Sequence, residues 1–140
     1  ELKLRDFVEE VLKREIGEEW WDLGIPEEIR NACEKDKNES EKDESESLHP
    51  FQYSHFRYLK KIIEKHWSTN FEKLFVDMDG DTRDEKLKWI ERLIPIRNML
   101  MHPRREITIR ESRAIELAAD CVEILTKQLR IYSPPHGNLQ

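Results

Sequence analysis

Apolar residues recur every three or four positions at the start of the chain, at Leu4, Phe7, Val8, Val11 and Leu12. That spacing predicts a helix over 2–16 with one inward face, closed by Gly17. Trp20, Trp21 and Leu23 follow in a short connection, and the two adjacent tryptophans are expected to plug the core rather than to stack a ligand. Pro26 suits the first residue of a second helix, with Ile29, Ala32 and Cys33 on its inner side. The pattern then dissolves: Glu34 to Ser47 holds no apolar residue. An exposed, mobile insert is favoured there over a solvated continuation of the helix. A third helix is predicted from about Ser54 to Trp67, with Phe56, Leu59, Ile62, Ile63, His66 and Trp67 in phase. Thr69 with Glu72 reads as a capping box for a short helix through Phe75. Thr82 with Glu85 reads as another, opening a helix that carries Leu87, Trp89, Ile90, Leu93 and Ile94, which Pro95 should interrupt or bend. Thr108 with Glu111 caps a last helix with Ile115, Ala118, Val122, Leu125 and Leu129 inward, stopped by Pro134 and Pro135. The expected fold is all-α: an antiparallel bundle of four long helices plus one or two short ones. Residues 1–132 would form the helical domain, with residues 34–47 as its acidic insert and 133–140 as a tail.

Composition narrows the function. Charged residues make up 39% of the 140 and glycines number only four, which suits helices with charged outer faces. No stretch reaches the roughly 20 apolar residues of a membrane span. The chain opens on Glu1 rather than Met, so a piece of a longer protein with further domains is expected. Cys33 and Cys121 are far apart and fall on apolar helix faces, which points to small buried residues and to a reducing, cytoplasmic or nuclear setting. No zinc or other metal site and no cofactor is expected. Asp77-Met78-Asp79-Gly80-Asp81 begins like a calcium loop, but its glycine is fourth where an EF-hand needs it sixth, so a polar turn is expected.

The net charge of −6 argues against a non-specific polyanion binder, yet it is unevenly spread. Seven acidic residues lie between Glu34 and Glu46, against three lysines. Arg92, Arg97, Arg104, Arg105, Arg110 and Arg113 cluster in sequence instead, and a basic spot on an acidic protein can hold a phosphate.

Within that cluster, Pro95 to Arg105 reads Pro-Ile-Arg-Asn-Met-Leu-Met-His-Pro-Arg-Arg. Pro103 disfavours helical backbone at His102, which should therefore end a helix. Asn98 and His102 are four apart and share a face if the helix is continuous. Arg97 and His102 are five apart, offset by about 140°. A neutral imidazole can take the proton of a ribose 2′-hydroxyl, and an imidazolium can return one to the leaving 5′-oxygen. A guanidinium can hold the phosphate and offset the charge that builds on it. Asn98 can orient either partner. Attack and departure each call for a proton-transfer group, which two chains meeting at this face would supply. The bland alternative is that Arg97, Asn98 and His102 cap carbonyls and pair with Glu91 or Glu106. His66 is expected to be a core or edge residue, and His49 and His55 have no partner at catalytic spacing.

Arg97-Asn98-Met99-Leu100-Met101-His102 resembles the RNxxxH signature of the HEPN superfamily of all-helical domains. Phe7 to Asn31, with its Trp-Trp and Gly-Ile-Pro-Glu-Glu-Ile-Arg, and Leu59 to Trp67 are similar to the HEPN branch appended to a eukaryotic nuclear endoribonuclease of transcript surveillance and found in prokaryotic multidomain proteins. The resemblance covers about residues 4–130. It implies a bundle that dimerises, with Arg97 and His102 of both copies catalytic in one cleft and Asn98 supporting them. Arg104 and Arg105 would bind RNA. The implied activity is metal-independent RNA cleavage; the alternative is an inactive dimerisation or interaction module serving a neighbouring domain.

Overall fold

The first helix forms where the 3.6-residue period requires it. In the computed structural model, which describes residues 1–42, 47–100 and 106–132, α1 (Leu2–Ile16) buries Leu4, Phe7, Val8, Val11 and Leu12. Gly17 ends it with φ +90, a backbone conformation open to glycine at little cost. Among the described residues every regular element is helical, and four of them are long: α1, α2 (Glu27–Ser40), α5 (Lys88–Leu100) and α6 (Ile109–Tyr132). The shorter α3 (Phe56–Lys65) and α4 (Arg83–Lys86) complete the all-α set. No helix among the described residues is long and apolar enough to cross a membrane.

The chain divides into two compact units, Glu1–Lys65 and His66–Gln140. In the first, α1 packs on α3, whose Leu59, Ile62 and Ile63 are fully buried. Trp20–Gly24 winds into a single π-type turn, in which Trp20 is buried but Leu23 is exposed. Of the two tryptophans expected to plug the core, Trp20 is buried and Trp21 half-buried. Pro26 caps α2 from outside the helix, and the helix runs on through Ser40. The first half of the acidic run is therefore a solvated helical extension, not a mobile insert. Intrahelical hydrogen bonds satisfy its backbone, Glu34, Lys35 and Glu39 stay in water, and Lys37 turns to Glu41 at 2.6 Å. Residues 43–46 of that run lie outside the described residues. α2 packs on the 3₁₀ turn Pro50–Tyr53, and Arg5 ties α1 to this region by donating from Nε and Nη2 to the Ser54 carbonyl at 3.0 and 2.6 Å.

In the second unit, Trp67–Phe71 forms another π-type turn and Glu72–Phe75 a 3₁₀ turn. The capping box expected at Thr69 does not form: its hydroxyl goes to the His66 carbonyl (3.4 Å) and to Asn70 Oδ1 (2.9 Å). His66, expected on the apolar stripe, is half-buried and precedes that turn. The box at Thr82 and Glu85 does form, but it opens only α4; α5 starts afresh at Lys88. Pro95 lies inside α5 without interrupting it. Pro95 cannot donate to the Glu91 carbonyl, and both residues are exposed, so water can take the freed acceptor. α6 buries Ala118, Cys121, Val122, Leu125 and Leu129 and packs on α5 and on Glu72–Phe75. Ile115, expected inward, is on the exposed side. Pro134 and Pro135 lie outside the described residues.

Candidate functional site

α5 delivers Arg97 and Asn98 in its last described turn. The register is set by Leu93 and Ile96, which are buried, and it leaves Arg97 half-buried and Asn98 exposed. A half-buried arginine can bury its aliphatic stem and still present its guanidinium to an anion. Met99 is half-buried and Leu100 exposed, so the apolar part of the motif divides between interior and surface. His102, Arg104 and Arg105 lie outside the described residues, and with them the expected pairing of Arg97 with His102.

A second group of arginines does come together. Arg92 of α5 joins Arg110 and Arg113 of α6 around a groove of about 430 Å³, which Ala114 and Leu117 also line. Arg110, Arg113, Ala114 and Leu117 fall at three- and four-residue steps and so share one face of α6. The sequence cluster contained all three arginines, and the spacing within α6 was readable. What the sequence could not supply was the approach of Arg92 from another helix. Among the described residues none of the three has a carboxylate partner, and none of the residues lining the groove is acidic. Elsewhere Arg14 pairs with Glu10 at 2.8 Å, Arg83 with Asp84 at 3.2 Å, and Arg30 gives Nε to the Ile25 carbonyl at 3.0 Å.

The remaining candidates are structural. Both cysteines are buried and free. Burial pushes the Cys33 thiol up to about 11, with Asp36 adding to it, and the Cys121 thiol up to about 11, with Asp120 and Asp79 adding. Neither supplies a thiolate near neutral pH. His49 accepts the Phe51 N–H at Nδ1 (3.0 Å) and stacks on Trp20, so it holds a turn rather than a substrate. His55 lies against Tyr58, with ring centres 4.2 Å apart. Gly80 has φ +108 and sits in the polar turn expected at Asp77–Asp81.

An all-helical chain with an Arg-Asn pair late in one long helix, a histidine four residues beyond the asparagine, and a further long helix after it has the organisation of a HEPN domain. The Swt1-like HEPN family model matches residues 1–127, which include the whole Arg97 to His102 motif, and the chain belongs to that family. No curated protein and no solved structure matches the chain.

Proposed function

We propose that this chain is a metal-independent endoribonuclease domain that works as a dimer. The observation that carries the proposal is the family match across an intact Arg97-Asn98-Met99-Leu100-Met101-His102 motif, whose Arg-Asn pair stands in the last described turn of α5. The reaction needs no group beyond those side chains. His102 as neutral imidazole takes the 2′-hydroxyl proton, and the 2′-oxygen attacks the adjacent phosphorus. The P–O5′ bond breaks, and the imidazolium of the second chain's motif protonates the leaving oxygen. Arg97 offsets the charge that grows on the non-bridging oxygens, Asn98 orients the reacting groups, and Arg104 and Arg105 bind flanking phosphates. The products are a 2′,3′-cyclic phosphate and a 5′-hydroxyl. Similarity to the branch appended to a nuclear endoribonuclease supports a role beside another domain of a longer chain.

A second reading, an inactive module that pairs chains, is favoured by one observation. Leu117, Ile124 and Ile131 are 45%, 37% and 68% exposed and lie seven residues apart along α6, an apolar strip of the kind a partner helix covers. Incubating the purified chain with labelled single-stranded RNA in excess chelator separates the two readings. Cleavage to cyclic-phosphate ends, lost by about 10³-fold or more in His102→Ala with helicity and dimer unchanged, supports the nuclease. A dimer that leaves varied RNAs intact supports the module.

A further inference from the structure

The three arginines around the α5–α6 groove take no part in the cleavage chemistry set out above. Arg92 is five residues before Arg97 on the same helix, about 7.5 Å along its axis and about 140° around it. Lining one concavity with three guanidiniums and, among the described residues, no carboxylate is unfavourable, because the like charges repel one another. On a chain of net charge −6, where other arginines find acidic or carbonyl partners, this arrangement calls for an anion from outside. Each guanidinium offers a planar fork that matches two phosphate oxygens. The groove's volume of about 430 Å³ falls within the range of small-ligand pockets, so it exceeds what one phosphate needs and can admit a nucleotide. Ala114 and Leu117 add apolar surface beside the charges, against which a sugar or base can lie. A positively charged groove is what tracks the backbone of a single strand in proteins that bind it without reading its sequence.

We propose that Arg92, Arg110 and Arg113 form a binding site for the phosphodiester backbone of single-stranded RNA, separate from the Arg97–His102 motif. The site holds the strand through phosphates outside the scissile one. It rests on the RNA part of the function proposed above and is independent of cleavage. Guanidinium forks read phosphate and have no means of demanding a 2′-hydroxyl, so single-stranded DNA uses the same groove. DNA lacks the attacking hydroxyl, which allows binding to be measured on the catalytically intact chain.

The test is fluorescence anisotropy with a labelled 12-nucleotide DNA on the unaltered chain and a labelled 12-nucleotide RNA in the His102→Ala background, each over a range of salt. Arg92→Ala/Arg110→Ala/Arg113→Ala should weaken both complexes at least about tenfold. It should also lower the slope of log affinity against log salt by about 2, near 0.7 for each phosphate left without its guanidinium. Triple Arg→Lys should keep the slope while losing affinity, because charge remains and the forks do not. Arg130→Ala, near the other end of α6, should change neither. All three arginines are exposed, so circular dichroism should be unaltered. If the triple Ala variant binds RNA with the original affinity and slope, the groove proposal is overturned, whatever the chain cleaves. If the unaltered chain binds no RNA but a phosphopeptide occupies the groove, it is also overturned. Binding that depends on the groove in a chain that never cleaves RNA sustains it and removes the nuclease reading alone.

Discussion

Thr108 and Glu111 hold each other at the start of α6. The Thr108 N–H donates to Glu111 Oε1 at 2.8 Å, and the Glu111 N–H donates to Thr108 Oγ1 at 3.1 Å. The pair satisfies two amides that the helix cannot bond internally. It also fixes the turn that carries Arg110, so a local cap bears on the geometry of the arginine groove. Thr108→Ala should therefore cost about 1 kcal/mol, seen as a lower midpoint in urea. It changes no charge, so RNA affinity should fall slightly with the salt slope preserved. Thr108→Ser should restore both. An unaltered midpoint would mean that packing along α6, not its cap, sets the start of the helix.

The turn before α4 depends on a backbone only glycine adopts readily. Gly80 has φ +108, and a Cβ placed there would lie 2.6 Å from Glu85 Cβ. Glu85 is at the same time the acceptor for the N–H groups of Asp81 (3.1 Å) and Thr82 (3.0 Å). Gly80→Ala should strain the turn and disturb that carboxylate, costing about 1–3 kcal/mol. Thermal denaturation of the variant checks this; a cost below about 0.5 kcal/mol would show that the turn rearranges freely.

Much of this architecture is legible in the sequence. The period of Leu4, Phe7, Val8, Val11 and Leu12 located α1 because burial of one face is what stabilises an amphipathic helix. Two of three capping boxes were read correctly, since a threonine and a glutamate three residues apart carry their own hydrogen-bonding partners. The third failed at Thr69 because the chain there widens into a π-type turn around buried Asn70 and Phe71, which no local pattern announces. Ile115 was misjudged because the buried stripe of α6 begins only at Ala118, one turn further along, with Cys121 on it as expected. For the candidate site, motif spacing singles out Arg97 and Asn98, and the structure adds that both lie in the last described turn of α5. The groove was not legible, because Arg92 and Arg113 meet through the packing of α5 on α6, a tertiary relationship.

The two sides of α6 should respond in opposite ways to substitution. Leu125 is fully buried, and Leu125→Ala should cost about 2–5 kcal/mol by lost burial and the cavity left behind. Ile124 and Ile131 are exposed, so Ile124→Glu/Ile131→Glu should move stability by no more than about 0.5 kcal/mol each. If the strip is the dimer contact, that double variant should run as a monomer by light scattering and lose RNA cleavage with the second motif. A dimer that survives both glutamates would assign the contact to another surface.

Stability of the Glu1–Lys65 unit should fall with acid in two separate steps. His49 must keep Nδ1 bare to accept the Phe51 N–H, and burial of its ring against Trp20 and Trp21 pushes its pKa below the ordinary 6.5. Its folded pKa is the lower one, so its contribution is complete above about 6.5. It disappears as the pH falls through the folded value and the ring takes up its proton. Glu41 acts at lower pH. Hydrogen bonds from Lys37 (2.6 Å) and Tyr53 hold its carboxyl at about 2 instead of 4.5. That contribution is complete above about 4.5 and lost as the pH drops towards about 2. Urea midpoints measured from pH 8 to pH 3 should thus decline first below about 6.5 and again below about 4.5. His49→Asn supplies an acceptor that does not titrate and should flatten the first step while leaving the second. Glu41→Gln should do the reverse. A first step that persists in His49→Asn would assign it to another histidine and leave the Phe51 cap without a role in the acid response.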